Sequence, residues 1–341
     1  MNGFMYINVF NLVTANVNVN GKMIFRVVFV VVIIYAQAYG HWIDENFVDE
    51  INRKAKTWKA SLKNYDNFTE NELRNLANVL GYHSDKDYVF IIKKYLIDKT
   101  VVIPSSFDAR KKWPLCSIGS IRDQKKCGGS WAFAAVSVMS DRLCIASNNI
   151  VDFTFSPEEL LRCCQDCGNG CDGGYIFPPF DYWKDIGIPS GGDQSSNLGC
   201  KPFNSTIDKQ LPCIKKCVNG YNKTLEEDAR HGIDAYRVLQ SVQQIQMDIM
   251  NFGPVVASMD IYKDFYIYQE GIYEHVSWDL VGRAAVKIIG WGEINDTPYW
   301  LVANSWGRKF GDEGLIRVLR GSNHCGIEYE VTGATPNTDT E

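Results

Sequence analysis

Ten of the eleven cysteines fall between Cys116 and Cys217, with Cys325 alone beyond them. Thiols at this density do one of two things. In a reducing compartment, Cys163, Cys164, Cys167 and Cys171 have the spacing of a zinc site. In an oxidising compartment the same residues form disulfides, whose connectivity the spacing leaves open. The N-terminus bears on the choice. Lys22 and Arg26 precede an apolar run from Val27 to Ile34, and Ala38-Tyr39-Gly40 places small residues at alternate positions. The run is short for a bilayer span. Residues 1–40 are therefore read as a cleaved signal peptide, with Met23 as an alternative start and an uncleaved signal anchor as the competing reading. Sequons at Asn67, Asn204, Asn222 and Asn295 agree with the secretory pathway, the destination being extracellular or lysosomal. Disulfides are then expected over metal.

The elements that must carry these residues are legible in outline. The 341 residues are 45% hydrophobic and 22% charged with a net charge of −5. That is globular composition, without the basic stripe of a nucleic-acid binder; Lys111-Lys112 and Lys125-Lys126 read as solvated surface. Residues 41–102 form a charged, cysteine-free block. Helical spacing runs through Phe47, Val48, Ile51, Ala55 and Trp58, and again through Leu73, Leu76, Val79 and Leu80. Ser130 to Ile145 lacks Gly and Pro and reads as a buried helix. Beyond Val255, short β-prone runs follow: Val255–Met259, Ala284–Ile289, Trp300–Ala303 and Leu315–Leu319. A helix-led half before a strand-led half gives an α+β class with two subdomains and a cleft between them.

Several motifs carry a resemblance. The run Asp123-Gln124-Lys125-Lys126-Cys127-Gly128-Gly129-Ser130-Trp131-Ala132-Phe133 is similar to the nucleophile segment of papain-family cysteine proteases, except that Ser130 stands where the cysteine normally lies. Gly170-Cys171-Asp172-Gly173-Gly174, Gly290-Trp291-Gly292 and Tyr299 to Gly307 match the same family in order. Phe107-Asp108-Ala109-Arg110, Cys163-Cys164 and Cys325-Gly326-Ile327-Glu328 resemble its cathepsin B branch. The resemblance implies a papain-like fold, with a helical left domain and a β-barrel-like right domain. It also implies a propeptide over 41–102, a peptidase domain over 103–341, and no cofactor or metal. By the same analogy Cys116–Cys144, Cys127–Cys171, Cys163–Cys213, Cys164–Cys167 and Cys200–Cys217 pair, leaving Cys325 free.

The chemistry the resemblance implies lacks two of its parts. Family members pair a thiolate with an imidazolium; a serine hydroxyl is far less acidic and needs a general base during attack. In Val281-Gly282-Arg283-Ala284-Ala285 the histidine position carries Ala284. A one-residue slip would offer Arg283, which cannot accept a proton. His275, His231 and His324 are read as surface or structural. Gln124 matches the oxyanion donor and Asn304 the residue that orients the histidine. Gly173 and Gly174 match the backbone that pairs with substrate, Trp306 the primed-side wall, and Glu330 the acid of a pocket that accepts a basic side chain. The segment between Cys200 and Cys217 is short and has no histidine, against the occluding loop of cathepsin B. The expectation is an inactive, monomeric homologue that binds peptides, its propeptide or cystatin-type inhibitors, with no membrane attachment after leader cleavage. The alternatives are an active endopeptidase using Ser130 with an unrecognised base, and a structural role.

Overall fold

The computed structural model describes residues 42–62, 68–81, 90–97, 101–194, 196–204 and 212–339. The leader expected over 1–40 and the sequon at Asn67 lie outside the described residues.

The leading segment contributes α1 (Glu45–Lys54), β1 (Trp58–Ala60), α2 (Glu70–Leu76) and the two-residue β2 (Ile92–Lys93). Then come β3 (Phe107–Asp108), α3 (Ala109–Lys112), α4 (Ser130–Ala146), α5 (Pro157–Cys163), α6 (Pro178–Asp185) and α7 (Leu225–Asp228). The strand-led half holds β4 (Gly232–Val238), α8 (Val242–Phe252), β5 (Val255–Tyr262), β6 (Tyr268–Tyr273), β7 (Leu280–Ile294), β8 (Thr297–Ala303), β9 (Leu315–Leu319) and β10 (Val331–Pro336).

Local chemistry accounts for the element ends. The Asp44 side chain accepts from the Phe47 amide to cap α1, and Thr69 with Glu72 forms a reciprocal capping box on α2, each satisfying amides that have no intrahelical acceptor. The helical spacing in the sequence overruns both helices. Trp58 belongs to β1 instead: it packs on Tyr268 and Tyr273, and its indole N–H donates to the Glu274 carbonyl. Pairing with β6 outweighs one more helical turn. Val79 and Leu80 likewise lie past the end of α2, where their amides bond to Arg283 and Gly174.

Helix α4 is apolar nearly all round, so it is buried on every side. Trp131, Phe133, Val136, Val138, Met139 and Leu143 are fully buried; truncating Phe133 to Ala would cost about 3–5 kcal/mol. One apolar core surrounds α4, and a second lies among β5 to β9 and takes in Val48, Ile51 and Trp58 of the leading segment. Two buried ion pairs tie the halves. Arg142 of α4 pairs with Asp248 of α8, and Lys287 of β7 with Asp141 of α4 at 2.7 Å. Breaking such a pair from one side costs about 3–5 kcal/mol.

The sheet corrects one expectation. Its strands run β1-β6-β9-β8-β7-β5-β10-β4-β2, with β3 attached to β7. The path is open, so the strand-led half is a mixed sheet and not a closed barrel. Its two ends are β1 and β2, both supplied by the leading segment. The structure links Cys116–Cys144, Cys127–Cys171, Cys163–Cys213, Cys164–Cys167 and Cys200–Cys217. The four cysteines with zinc-like spacing are thus all in disulfides.

Candidate active-site groove

Ser130 is the first residue of α4 and is fully buried. Its Oγ accepts a hydrogen bond from the Ala285 amide at 3.1 Å. That neighbour is itself a donor and cannot take a proton from the hydroxyl. Ala284, on β7 opposite Met259 of β5, is fully buried and offers only a methyl group.

The described histidines bond elsewhere. His231 Nδ1 lies 3.2 Å from the Lys184 carbonyl. His275 stacks on Tyr262 and bonds to the Ser277 carbonyl at 3.0 Å. His324 Nε2 accepts from the His275 amide at 3.0 Å. Burial, and secondarily His275, lower the His324 pKa to about 4, which keeps the ring neutral and able to accept.

Gln124 and Asn304 adjoin through Ser305. The Gln124 amide Nε2 donates to the Cys127 carbonyl at 2.7 Å, and its Oε1 accepts from Ser305 Oγ at 2.6 Å. The Asn304 Oδ1 accepts from the Ser305 amide, whereas its buried Nδ2 has no partner. Such an orphan is uncommon in a folded interior, and here it belongs to the side chain the resemblance assigns to orienting an imidazole. Trp306 stacks on Tyr266 at 5.3 Å and meets Phe265 and Phe310 edge-on, so it is walled in by aromatics.

One extended stretch of the leading segment crosses both walls of this groove. The Leu80 amide donates to the Gly174 carbonyl at 3.0 Å, on the α4 side. On the β7 side, the Val79 amide donates to Arg283 at 2.8 Å and the Arg283 amide donates to Ala77 at 3.3 Å. Asn78 Nδ2 donates to the Asp172 carbonyl at 2.7 Å, and Asn75 Nδ2 to Cys171 at 3.2 Å. Pairing is parallel at Val79 with Gly174 and at Asn78 with Arg283. The approach needs glycine. A Cβ on Gly173, whose φ is +108°, would sit 2.1 Å from the Asn78 carbonyl oxygen, and one on Gly282 would sit 2.1 Å from that of Ala77.

Glu330 differs from its expected surroundings. It is buried, and its basic neighbours are this chain's own: Arg237 at 2.8 Å and Arg283 at 3.8 Å. Sequence reasoning missed both arginines as site residues. For Arg283 the signal was present, since it was weighed only as a base. Asn75 and Asn78 were missed too; nothing but their place just after a capped amphipathic helix pointed to them. Asn204, Asn222 and Asn295 are exposed, and Asn295 sits in the β7–β8 turn. Cys325 is a free, buried thiol whose pKa is pushed up mainly by burial, which suppresses the reactive thiolate. Among the described residues no group of His, Cys, Asp or Glu has the arrangement to hold a metal ion, and no helix is long and apolar enough to cross a membrane.

The profile of the papain family cysteine proteases matches residues 103–335. The chain is 43% identical over 258 residues to a cathepsin B-like cysteine proteinase of Schistosoma japonicum, which spans 71% of this chain and 75% of that one. It is 39% identical over 311 residues to cathepsin B-like cysteine proteinase 4 of Caenorhabditis elegans, spanning 86% and 92%. Among solved structures, proCathepsin B S9 from Trypanosoma congolense matches with a TM-score of 0.77 at 32% identity, over 87% of this chain and 99% of that one. The papain-like fold agrees with these relatives, and the chain belongs to the papain family of cysteine proteases, in its cathepsin B-like branch.

Proposed function

We propose that this chain is a catalytically inactive cathepsin B-like homologue, secreted or lysosomal, that keeps a groove for extended peptides. The observation that carries this reading is the hydrogen bond from the Ala285 amide to Ser130 Oγ, beside a methyl group at Ala284. A hydroxyl whose neighbour is a donor has no route for its proton. Loss of nucleophile or base in a comparable triad costs about 10⁶ in rate, or roughly 8 kcal/mol of barrier.

On this reading residues 41–102 are a propeptide and the domain begins at 103. Ala77 to Leu80 shows how the groove holds a ligand: main chain to main chain, on both walls at once. Peptides or a cystatin-type inhibitor would use the same amides and carbonyls. The chain has no means of cutting its own propeptide, so another protease must free the groove.

The test uses protein from which an added protease has removed the propeptide. No turnover is expected across a panel of peptide reporters with neutral and basic side chains, whereas calorimetry should register a cystatin-type inhibitor. Turnover that survives inhibitors of the added protease and vanishes in Ser130→Ala would defeat the inactive reading. Absence of inhibitor binding by folded, propeptide-free protein would defeat the groove reading.

A further inference from the structure

Arg283 lies where the groove meets the buried Glu330 and the partly exposed Asp260. Its own amide and carbonyl both bond to the occupying segment, at Ala77 and Val79, so the residue is itself part of the groove wall. The guanidinium is then held on three sides. Nη2 donates to Ser258 Oγ, Nε lies 3.2 Å from Asp260 Oδ1, and Nη1 lies 3.8 Å from Glu330 Oε2. The acceptors are themselves fixed: Ser258 is fully buried and donates to Glu330 Oε2 at 3.3 Å, while Arg237 holds Glu330 Oε1 at 2.8 Å. Two carboxylates and a hydroxyl make a cradle suited to a planar fork of N–H donors.

We propose that this is a guanidinium-binding pocket of the groove, filled in cis by Arg283, so that external basic side chains are shut out of it. The charges show why. With Arg283 present, two arginines face two carboxylates, and a visiting cation finds no unmatched charge and an occupied space. Without it, among the described residues, Asp260 and Glu330 face Arg237, leaving one negative charge beside the space vacated by the arginine head group. The groove as it stands therefore admits ligands whose residue at this place is neutral. The inference rests on the groove being the peptide-binding face, and not on the loss of catalysis.

Agmatine, a guanidinium on a short amine, is the probe. It is titrated calorimetrically into the full-length chain, into Arg283→Gly, and into Arg283→Gly/Glu330→Gln, with thermal melts alongside. Wild type should give no saturable heat and no melting shift. Arg283→Gly should bind, and the added Glu330→Gln should weaken binding by at least about tenfold, the least expected from losing one charge-assisted bond. Should Arg283→Gly not fold, Arg283→Ala replaces it, since it also empties the cradle without adding glycine's backbone freedom. Equal binding by wild type and variant, or no binding by a variant that melts cooperatively, overturns the proposal. Peptide hydrolysis by wild type would instead sink the inactive reading and leave the cradle standing.

Discussion

Installing both missing groups should return hydrolysis, and the structure sets the terms. In Ser130→Cys/Ala284→His the thiol occupies the first position of the 17-residue α4. A helix N-terminus favours an adjacent negative charge by about 0.3–1 kcal/mol. That lowers a thiol pKa near 8.5 by less than about one unit, so Ser130→Cys alone remains a poor nucleophile at mildly acidic pH. The imidazole supplies the larger effect, as a positioned base is worth about 10²–10⁴-fold. Packing opposes it. Ala284 is fully buried, and a larger side chain there costs about 1–3 kcal/mol of stability. The assay follows peptide reporters and the size of the precursor after acidification, for wild type, both single variants and the double. Wild type and singles should stay flat at precursor size. The double variant should exceed Ser130→Cys by about 10²–10⁴-fold and shorten itself. A folded double variant no faster than Ser130→Cys, or a wild type as fast as the double, would refute the reasoning.

Gly173→Ala should expel the occupying segment, because the new Cβ meets the Asn78 carbonyl oxygen at 2.1 Å and the backbone is held at positive φ; hydrogen exchange at the Val79 and Leu80 amides should quicken while exchange in α4 does not. Asp248→Ala leaves the Arg142 guanidinium buried and unmatched, so chemical denaturation should report a loss of about 3–5 kcal/mol, against under about 0.5 kcal/mol for Glu50→Ala in an exposed pair. His324 makes stability depend on pH. Its pKa of about 4 in the fold lies below the ordinary value of 6.5, so the unfolded chain binds the extra proton first. The contribution is complete above about pH 6.5 and disappears as pH falls through 4, and His324→Gln should flatten the urea midpoint over that window relative to wild type. Asp264, whose carboxyl is raised chiefly by burial, acts in the opposite sense, which is why the comparison is between variants.

Legibility in the sequence followed the range of the interactions involved. Helix α4 could be read because an apolar run without Gly or Pro carries its own instruction, and the structure starts it at Ser130. Trp58 and Val79 could not. Each continues a helical spacing, yet each is claimed by a partner about 95 to more than 200 residues away, Val79 by Gly174 and Arg283 and Trp58 by Gly271. The strands β4, β6 and β10 gave little local signal, since Asp234, Gly271 and Gly333 interrupt their β-prone residues. The groove motifs were legible because they are short and contiguous. The Arg283 cradle was not, for it gathers Arg237 from β4, Ser258 and Asp260 from β5, Arg283 from β7 and Glu330 from just before β10, and only the pairing of those strands brings them together.

The leading segment grips the rest of the molecule at three separate places. Trp58 and its strand close one edge of the sheet, Ala77 to Leu80 thread the groove, and Tyr95 exchanges hydrogen bonds with Gln244 and donates to Asp248 beyond β2. A ligand tethered at both ends competes at a local concentration in the millimolar range, so a free peptide of micromolar affinity has little prospect of displacing it. One nick would not change this, because either half stays moored by its own contacts. Occupancy of the groove by an outside peptide is thereby made conditional on cuts delivered by some other enzyme.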